Sequence, residues 1–330
     1  AGACRGDFPE GTAVELSPRL PADGPLYFAG WSGGCAGALP CQLSGAATVQ
    51  AIYRPKICST PGIEDTGAAP WCWESPLPHG LALRGAWASA ESDIWAVGER
   101  GILQHFDGQL WRVLRRDGSF DKSHDLLAIA GSRRDDVWAV GTLGTALHFD
   151  GSQWVERFPL DNNEKRRALT AVWVSPAGTA WATRENGDVL RYFPEGWQVA
   201  RALGAGRLPL AVTGTSDSDL WVVGKAGLAW HYDGTEWAVT TLATTEMMQG
   251  IWGFAPDDLW MVGGQTLARY DGATWTITDL RAEDPGIEGV TAIWASAPSD
   301  VWVGGTQSTA AHFDGTTWQR YIAAGTDNTA

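Results

Sequence analysis

The sequence predicts an all-β fold, a six-bladed β-propeller behind a small N-terminal β module, and three observations support this prediction. The chain has 330 residues, of which 20 are Trp. Most of these Trp belong to a unit of about 40 residues that recurs six times, a period typical of propeller blades. All five Cys lie upstream of the repeats, within the first 72 residues.

The first anchor of the repeat is an apolar residue followed by Trp, usually after an acidic residue, as in Ser92-Asp93-Ile94-Trp95. The third copy departs from this pattern and reads Gly178-Thr179-Ala180-Trp181. The six anchor Trp are spaced 43, 43, 40, 39 and 42 residues apart: Trp95, Trp138, Trp181, Trp221, Trp260 and Trp302.

The second anchor follows about a dozen residues later and is an aromatic residue, Asp-Gly, two further residues and Trp. Tyr232-Asp233-Gly234 with Trp237 is an example, and the third copy is again aberrant, with Glu195 in place of the Asp. Asp-Gly favours a tight hairpin because Gly adopts a positive φ without steric cost. The closing Trp are Trp111, Trp154, Trp197, Trp237, Trp275 and Trp318, and four copies carry an earlier Trp, at Trp87, Trp173, Trp252 and Trp294.

The segments between the anchors are short and alternate apolar with polar residues, which is typical of strands. Each unit therefore predicts four antiparallel strands: one through the early Trp position, one through the first anchor, and one on each side of the Asp-Gly turn. Four such strands in about 40 residues make one propeller blade. The repeats place the propeller at residues 85–322, followed by a tail at 323–330.

The repeats resemble the Trp-rich propeller repeats of exported bacterial proteins. Their Asp-Gly-x-x-Trp turn is also similar to a shortened Asp-box, the hairpin motif of sialidase-type propellers. The resemblance covers about 70% of the chain. It implies a fold and a structural turn, and it carries no catalytic residue.

Residues 1–54 resemble the C-terminal half of the internalin-type B repeat, a small β module of exported surface proteins. The matching segments are 11–16, 28–33 and 48–53, together with Cys35 and Cys41. The resemblance implies a disulfide between Cys35 and Cys41, and Cys58 and Cys72 are the natural second pair. Cys4 is then unpaired within this chain or bonded to another chain or segment.

Disulfides of this kind predict an extracytoplasmic protein, whether secreted, periplasmic or at the cell surface. A zinc site is the alternative for the Cys residues, although there is no Cys-x-x-Cys and only His79 lies nearby. Residues 55–84 are rich in Pro and form a predicted linker. Within it, residues 71–75 resemble the fourth strand of a blade and are expected either to extend a blade edge or to clasp the ring closed.

The charge of the chain excludes some partners. The formal net charge is −14 and the pI is near 4.8. Such an acidic surface repels nucleic acid, so we expect no nucleic-acid partner. No apolar run approaches the roughly 18 residues of a membrane-spanning helix.

The repeated polar residues indicate structure rather than chemistry. Four His share one repeat position, where two other blades have Arg191 and Arg269, and residues spread around a ring cannot converge on one metal ion. We therefore expect neither a metal site nor a cofactor, and the chain presents no candidate catalytic residue. The four repeat-position His are His105, His148, His231 and His312.

Function is expected where the repeats differ, in the loops of one rim. We predict a protein or glycan partner at the cell surface, bound by a non-enzymatic adhesion or interaction module. A carbohydrate-binding lectin is the alternative, and a glycan-active hydrolase or lyase is a third interpretation. Trp230, Trp71 and Trp73 break the repeat and are candidate sugar platforms. The candidate ligand-binding residues are Arg100, Arg184, Glu185, Lys225, Gln265, Gln307 and Trp230.

Overall fold

The structure is a computed structural model, and it describes residues 81–114, 124–157, 167–306 and 309–321 in full. Of the first 80 residues it describes the backbone of six strands. The chain divides into two compact units. One holds Ala1–Gly80 with His105–Val113, and the other holds Leu81–Gln104 with Leu114–Ala330.

The six N-terminal strands form three antiparallel pairs, β1 with β3, β2 with β4, and β5 with β6. In the last pair, the Cα atoms of Cys58 and Cys72 are partners across the two strands. The side chains of the predicted disulfides, Cys4, Trp71 and Trp73 lie outside the described residues. The strands are β1 (Val14–Leu16), β2 (Leu26–Gly33), β3 (Cys41–Leu43), β4 (Val49–Pro55), β5 (Ile57–Cys58) and β6 (Cys72–Trp73).

Six four-stranded sheets follow, which we call blades 1 to 6. Blade 1 has β7 (Leu83–Ala90), β8 (Asp93–Gly98), β9 (Leu103–Phe106) and β10 (Trp111–Val113). Blade 2 has β11 (Leu126–Arg133), β12 (Asp136–Gly141), β13 (Ala146–Phe149) and β14 (Trp154–Glu156). Blade 3 has β15 (Leu169–Val174), β16 (Ala180–Arg184), β17 (Asp188–Phe193) and β18 (Gly196–Ala202).

Blade 4 has β19 (Pro209–Ser216), β20 (Asp219–Gly224), β21 (Leu228–Tyr232) and β22 (Trp237–Thr241). Blade 5 has β23 (Gly250–Ala255), β24 (Asp258–Gly263), β25 (Thr266–Tyr270) and β26 (Trp275–Asp279), and the short helix α1 (Leu280–Glu283) follows it. Blade 6 has β27 (Val290–Ala297), β28 (Asp300–Gly305), β29 (Ala310–Phe313) and β30 (Trp318–Tyr321).

Every blade is a meander in which the strands lie side by side in chain order. The first strand of each blade packs against the first strand of the next, from β7 to β27, so these are the inner strands. The second strand carries the first anchor Trp, and the Asp-Gly turn joins the third strand to the fourth. The predicted six-bladed all-β propeller is confirmed.

The core lies between blades, where the two anchors meet. The Trp95 ring is 5.1 Å from the rings of both Phe149 and Trp154 in blade 2. Trp138 meets Tyr192 and Trp197 of blade 3 in the same way. An aromatic side chain removes a large apolar area from water at such a contact. Each blade that lies between two others packs its first-anchor Trp against the next blade and its second-anchor aromatic residues against the preceding blade. Both anchors therefore occur together in the repeat.

Inner-strand Trp residues also fit into the next blade, where they meet Gly. A Cβ added to Gly131 would lie 2.8 Å from the Trp87 ring, and one added to Gly214 would lie 3.0 Å from the Trp173 ring. These Gly residues are therefore needed for the close approach of a large ring to the neighbouring backbone.

Candidate functional site

The blades have two rims with different chemistry. One rim carries the turns between first and second strands and the Asp-Gly turns. The other, which we call the loop rim, carries the turns between second and third strands and the connections between blades. Backbone hydrogen bonds join these two sets of loops, for example from Glu99 N–H to Ala82 C=O at 2.9 Å and from Thr142 N–H to Asp125 C=O at 2.9 Å.

The Asp side chains of the Asp-Gly turns accept hydrogen bonds from residues of their own turns. Asp233 Oδ1 accepts hydrogen bonds from the backbone N–H groups of Thr235 and Glu236, both at 2.8 Å, and from the Thr235 hydroxyl at 2.6 Å. These bonds lower the pKa of Asp233 to about 2, the Thr235 hydroxyl being the largest contributor. Gly234 has a φ of +93°, and a Cβ there would lie 2.7 Å from Ser218 Cβ. This carboxylate is occupied in holding a hairpin.

A second repeated network combines a hydroxyl, a carboxylate and an imidazole. In blade 2, the Ser132 hydroxyl donates to Asp136 Oδ2 at 2.6 Å, and His148 Nε2 lies 2.8 Å from Asp136 Oδ1. The His148 ring stacks on Trp138 with the ring centroids 4.3 Å apart. Partial burial raises the pKa of Asp136, but its hydrogen bonds with His148 and Ser132 outweigh burial, so the pKa is lowered overall.

This network does not have the geometry of a nucleophilic triad. A catalytic serine must bond to the imidazole that takes its proton. Here the hydroxyl and the imidazole both bond to the carboxylate, so the imidazole is not placed to take the proton of the hydroxyl. Blades 4 and 6 repeat the arrangement with Thr215, Asp219, His231 and with Ser296, Asp300, His312.

The Arg residues at the His position act in the same structural way. The Arg191 guanidinium lies 5.1 Å from the Trp181 ring centroid, and that of Arg269 lies 4.9 Å from the Trp260 ring centroid. A guanidinium over an indole face replaces the stacked imidazole by a cation–π contact. The prediction that this repeat position serves packing agrees with these contacts.

Three turns of the loop rim place a residue other than Gly in the left-handed region. Arg100, Leu143 and Ala226 have φ values of 53°, 54° and 60°, and each precedes a Gly that also has a positive φ. A hydrogen bond from Ile102 N–H to Glu99 C=O at 3.1 Å closes the first of these turns. Two consecutive positive φ values define a two-residue hairpin turn of the I′ type, where Asn, Asp or Gly is usual. Arg100 and Leu143 are therefore held outward in a backbone conformation that costs energy.

The structure separates the predicted site residues into three groups. Arg100, Glu185 and Lys225 are exposed on the loop rim, and Gln265 is partly buried there. Gln307 lies outside the described residues.

Arg184 forms part of the protein interior. Its side chain is 4% exposed, and its Nη1 donates to Asp188 Oδ2 at 3.3 Å. Asn186 Nδ2 donates to the same oxygen at 2.8 Å. A hydrogen bond from Gly187 N–H to Arg184 C=O at 2.9 Å closes the turn of blade 3, and Arg184 ends β16 with its side chain buried. Its assignment as a ligand-binding residue is corrected to a residue that organises this turn.

Trp230 is also buried, with 6% of its surface exposed. It lies in the core between blades 3 and 4 with Leu220, Val222 and Trp181. In the other blades the same strand position holds a buried residue such as Leu147 or Leu190, so Trp230 fills a core position with a larger side chain. The prediction that it is a sugar platform is wrong, because both faces of an inner blade are covered.

Sequence reasoning did not select several exposed residues of the loop rim, two of them apolar and one charged. Leu143 and Met247 are large apolar side chains with 42% and 43% of their surface exposed. Arg207 is exposed in the connection between blades 3 and 4. An apolar residue in a connection gives no periodic signal, so only coordinates show that it points outward.

The loop rim also contains an open cleft of about 650 Å³ between blades 4 and 5. Ala226, Gln265 and Glu246 line it, together with a row of threonines at 241, 244, 245, 266 and 278. Its polar wall places Gln265, a predicted site residue, beside Glu246, which the sequence did not single out.

Two kinds of feature are not found in the part of the chain that the structure describes. It contains no cluster of three or more His, Cys, Asp or Glu side chains that could hold a metal ion. Its helices are too short or too polar to cross a membrane.

Solved structures with a similar fold are propellers. YCF48 bound to D1 peptide matches 75% of this chain and 84% of its own, with 21% identity and a TM-score of 0.58. YCF48 from Cyanidioschyzon merolae matches with 16% identity and a TM-score of 0.57, over 74% of this chain and 86% of its own. The WD40 repeats of RRP9 match with 12% identity and a TM-score of 0.62, over 74% and 81%. No protein family and no curated protein matches the sequence. At these identities the comparisons establish the propeller fold alone.

Proposed function

We propose that this chain is a non-enzymatic binding module that holds a protein partner on its loop rim. The observation that carries the proposal is the difference between the two rims. The carboxylates of the Asp-Gly rim are occupied by their own turns, as at Asp233 and Asp271. The loop rim instead exposes Arg100, Lys225 and the apolar Leu143.

The exposed residues of the loop rim favour a protein over a glycan. Protein interfaces are enriched in Met and Arg, and Arg holds carboxylates in a bidentate way. The rim combines Arg100 and Arg207 with Met247 and Leu143. A lectin would need exposed aromatic faces on this rim, but the first anchor Trp of blades 1 to 5 are between 2% and 4% exposed. Trp294 is 50% exposed, but it lies within the inner strand β27 and not in a loop of the rim.

A structural neighbour supports a peptide as the form of the partner. YCF48 has been solved with a D1 peptide bound, and its propeller resembles this one. We infer that the partner of this chain also presents an extended or loop segment, with acidic residues that complement Arg100 and Lys225.

We further propose that the protein works outside the cytoplasm, on a cell surface or in secreted form. The support is the distribution of Cys, which are confined to the first 72 residues. Cα partners in neighbouring antiparallel strands are about 4.5–5.5 Å apart, within the range of a disulfide. The pairing of Cys58 with Cys72 across β5 and β6 is therefore compatible with such a bond.

The test is selection of a phage-displayed random peptide library on the purified protein, followed by titration of the selected peptide. The Arg100→Ala/Lys225→Ala variant should weaken binding of that peptide by at least about tenfold, since it removes two charged hydrogen-bonding groups. The matched control is Arg133→Ala/Arg134→Ala, which removes two exposed cations from the opposite rim.

The control variant should bind the selected peptide as the original protein does. Equal loss in both variants would show a general charge effect and contradict a site on the loop rim. A glycan array probed in parallel addresses the lectin alternative. Glycan binding without peptide enrichment would overturn the proposal of a protein partner.

A further inference from the structure

The blades pack closely from 1 to 6, but the face of blade 1 that points away from blade 2 is open. Leu83 is 50% exposed, whereas the corresponding Leu126, Leu169 and Val290 are fully buried against the preceding blade. Ala86 and Ala88, on the same side of β7, are exposed as well. We call Leu83, Ala86 and Ala88 the leading face.

Blade 6 is open on its opposite side. Trp294 is 50% exposed, although Trp87 and Trp173 at the same repeat position fit against Gly of the next blade. Trp302 is only partly buried, whereas the first anchor Trp of every other blade is nearly fully buried. Its ring contacts Tyr321 of its own blade, with centroids 5.1 Å apart. We call Trp294, Trp302 and Gly304 the trailing face.

The two faces are the halves of one repeated interface. In blades 2 to 6, the positions of the leading face pack against the preceding blade. In blades 1 to 5, the positions of the trailing face pack against the following blade. In the described residues, no strand packing comparable to that between the other inner strands joins β27 to β7. Among the described residues, the two complementary faces therefore do not form a packed interface with each other.

Each face carries a smaller residue at one position than the packed interface between blades 1 and 2 does. Between blades 1 and 2, Val97 and Ile129 belong to one buried cluster. Gly304 and Ala86 take their places on the open faces, and a Cβ at Gly304 would have only the Thr309 carbonyl oxygen near it, at 3.9 Å. Contact between the faces would leave unfilled volume, which weakens association without preventing it.

We propose that the trailing face of one copy of this chain binds the leading face of a second copy, in a weak head-to-tail association. The chemistry is that of the five interfaces within each chain, continued from one molecule to the next. Such a contact is heterologous, so each copy keeps one free face and assembly can extend. This interaction uses neither rim and is independent of the proposed partner site.

The first test is the mass of the full chain in solution, measured by light scattering over a roughly hundredfold range of protein concentration. The average mass should rise with concentration. Leu83→Asp and Trp294→Asp should each remain monomeric, because each places a charge in one face. A mixture of these two variants should form a 1:1 dimer that does not extend, since each keeps the face that the other lacks.

The second test increases the affinity instead of removing it. Ala86→Ile restores the side chain size found at Ile129 and should tighten association by about tenfold through filled volume. Val239→Asp, on the exposed outer strand of blade 4, is the control and should leave the mass unchanged.

Three results would overturn the proposal. One is a monomer at every concentration that also stays monomeric with Ala86→Ile, which would indicate that the faces are closed within one chain. Another is a mixture of Leu83→Asp and Trp294→Asp that fails to dimerise while both variants are folded. The third is association that Val239→Asp abolishes.

Discussion

Five of the six repeats have two Asp residues that precede a Trp by a few positions, and the two have different structural roles. Asp233 lies in an exposed turn and accepts backbone N–H groups, whereas Asp219 of the same blade bonds to Thr215 and His231. The first closes a hairpin, and the second fixes the imidazole that stacks on Trp221. Both roles are structural, so repeated carboxylates in this chain are poor guides to chemistry.

Asp233 leads to a prediction about pH. Its pKa is about 2 in the folded protein against an ordinary value of 3.8, so its contribution to stability is present above about pH 4 and lost as the pH falls through about 2. Asp233→Asn should have a lower melting temperature than the original protein at neutral pH. The difference between the two melting temperatures should shrink as the pH falls toward about 2. Thermal unfolding across this range is the measurement.

Glu195→Gln is the matched control for this prediction. It changes the corresponding turn of blade 3, where the carboxylate accepts from the side chain of Gln198 and the Asp is missing. A difference between Asp233→Asn and the original protein that is independent of pH would show that the charge of Asp233 has no role in the turn.

Ala226 permits a test of backbone strain. Its φ of 60° lies in the left-handed region. This conformation costs a residue with a Cβ about 1–2 kcal/mol, a cost that Gly does not have. Ala226→Gly should therefore stabilise the protein by up to about 1 kcal/mol, after the greater entropy of Gly in the unfolded chain is subtracted. Denaturant unfolding measures this change. Ala238→Gly, in the extended strand β22, should instead destabilise by about 0.5–1 kcal/mol.

At the scale of elements, the anchor Trp should differ according to whether a next blade covers them. Trp260 is 3% exposed and meets Phe313 of blade 6 at 5.9 Å between ring centroids. Trp260→Ala should cost about 3–5 kcal/mol. Trp302→Ala should cost clearly less, because Trp302 is half-covered by its own blade. Chemical denaturation of both variants is the measurement, and equal losses would mean that the trailing face is buried in solution.

The strands could be predicted because a blade is a local unit. Apolar alternation and the Asp-Gly turn define four strands within about 40 residues, and the structure has them with the anchors at the predicted places. The burial of Arg184 and Trp230 could not be predicted in this way. Both faces of an inner blade are covered, so alternation does not distinguish a side chain pointing at a neighbour from one pointing at water.

At the scale of the whole molecule, the sequence repeat does not predict whether blade 6 packs against blade 1. Six similar units predict six similar interfaces, and the described blades form five that are packed. Whether the last blade reaches the first depends on the rotation between neighbouring blades, which sums over the packed interfaces and is set by side chains such as Val97 and Ile129. A small difference in this rotation at each interface does not change the spacing of the Trp residues in the sequence, so the repeat cannot predict it.

The distribution of Cys leads to a last prediction, about redox conditions. The 258 residues after Cys72 contain no Cys, so no disulfide can stabilise the blades at residues 81–321. A reductant should therefore leave the main unfolding transition unchanged. It should destabilise only the N-terminal strands, since a disulfide between Cys58 and Cys72 would close a loop of about 15 residues and contribute about 3 kcal/mol.

Calorimetry with and without reductant, together with mass mapping of the oxidised protein, measures this effect. Cys35–Cys41 and Cys58–Cys72 are the expected pairs, with Cys4 unpaired in this chain. Cys58→Ser/Cys72→Ser is the matched variant, and its calorimetric trace should be unaffected by reduction of that bond. Linkage of Cys4 to any of the other four Cys would contradict the pairing. A reductant-sensitive main transition would show that the N-terminal strands and the blades unfold together, because a disulfide can act on the blades only through cooperative unfolding.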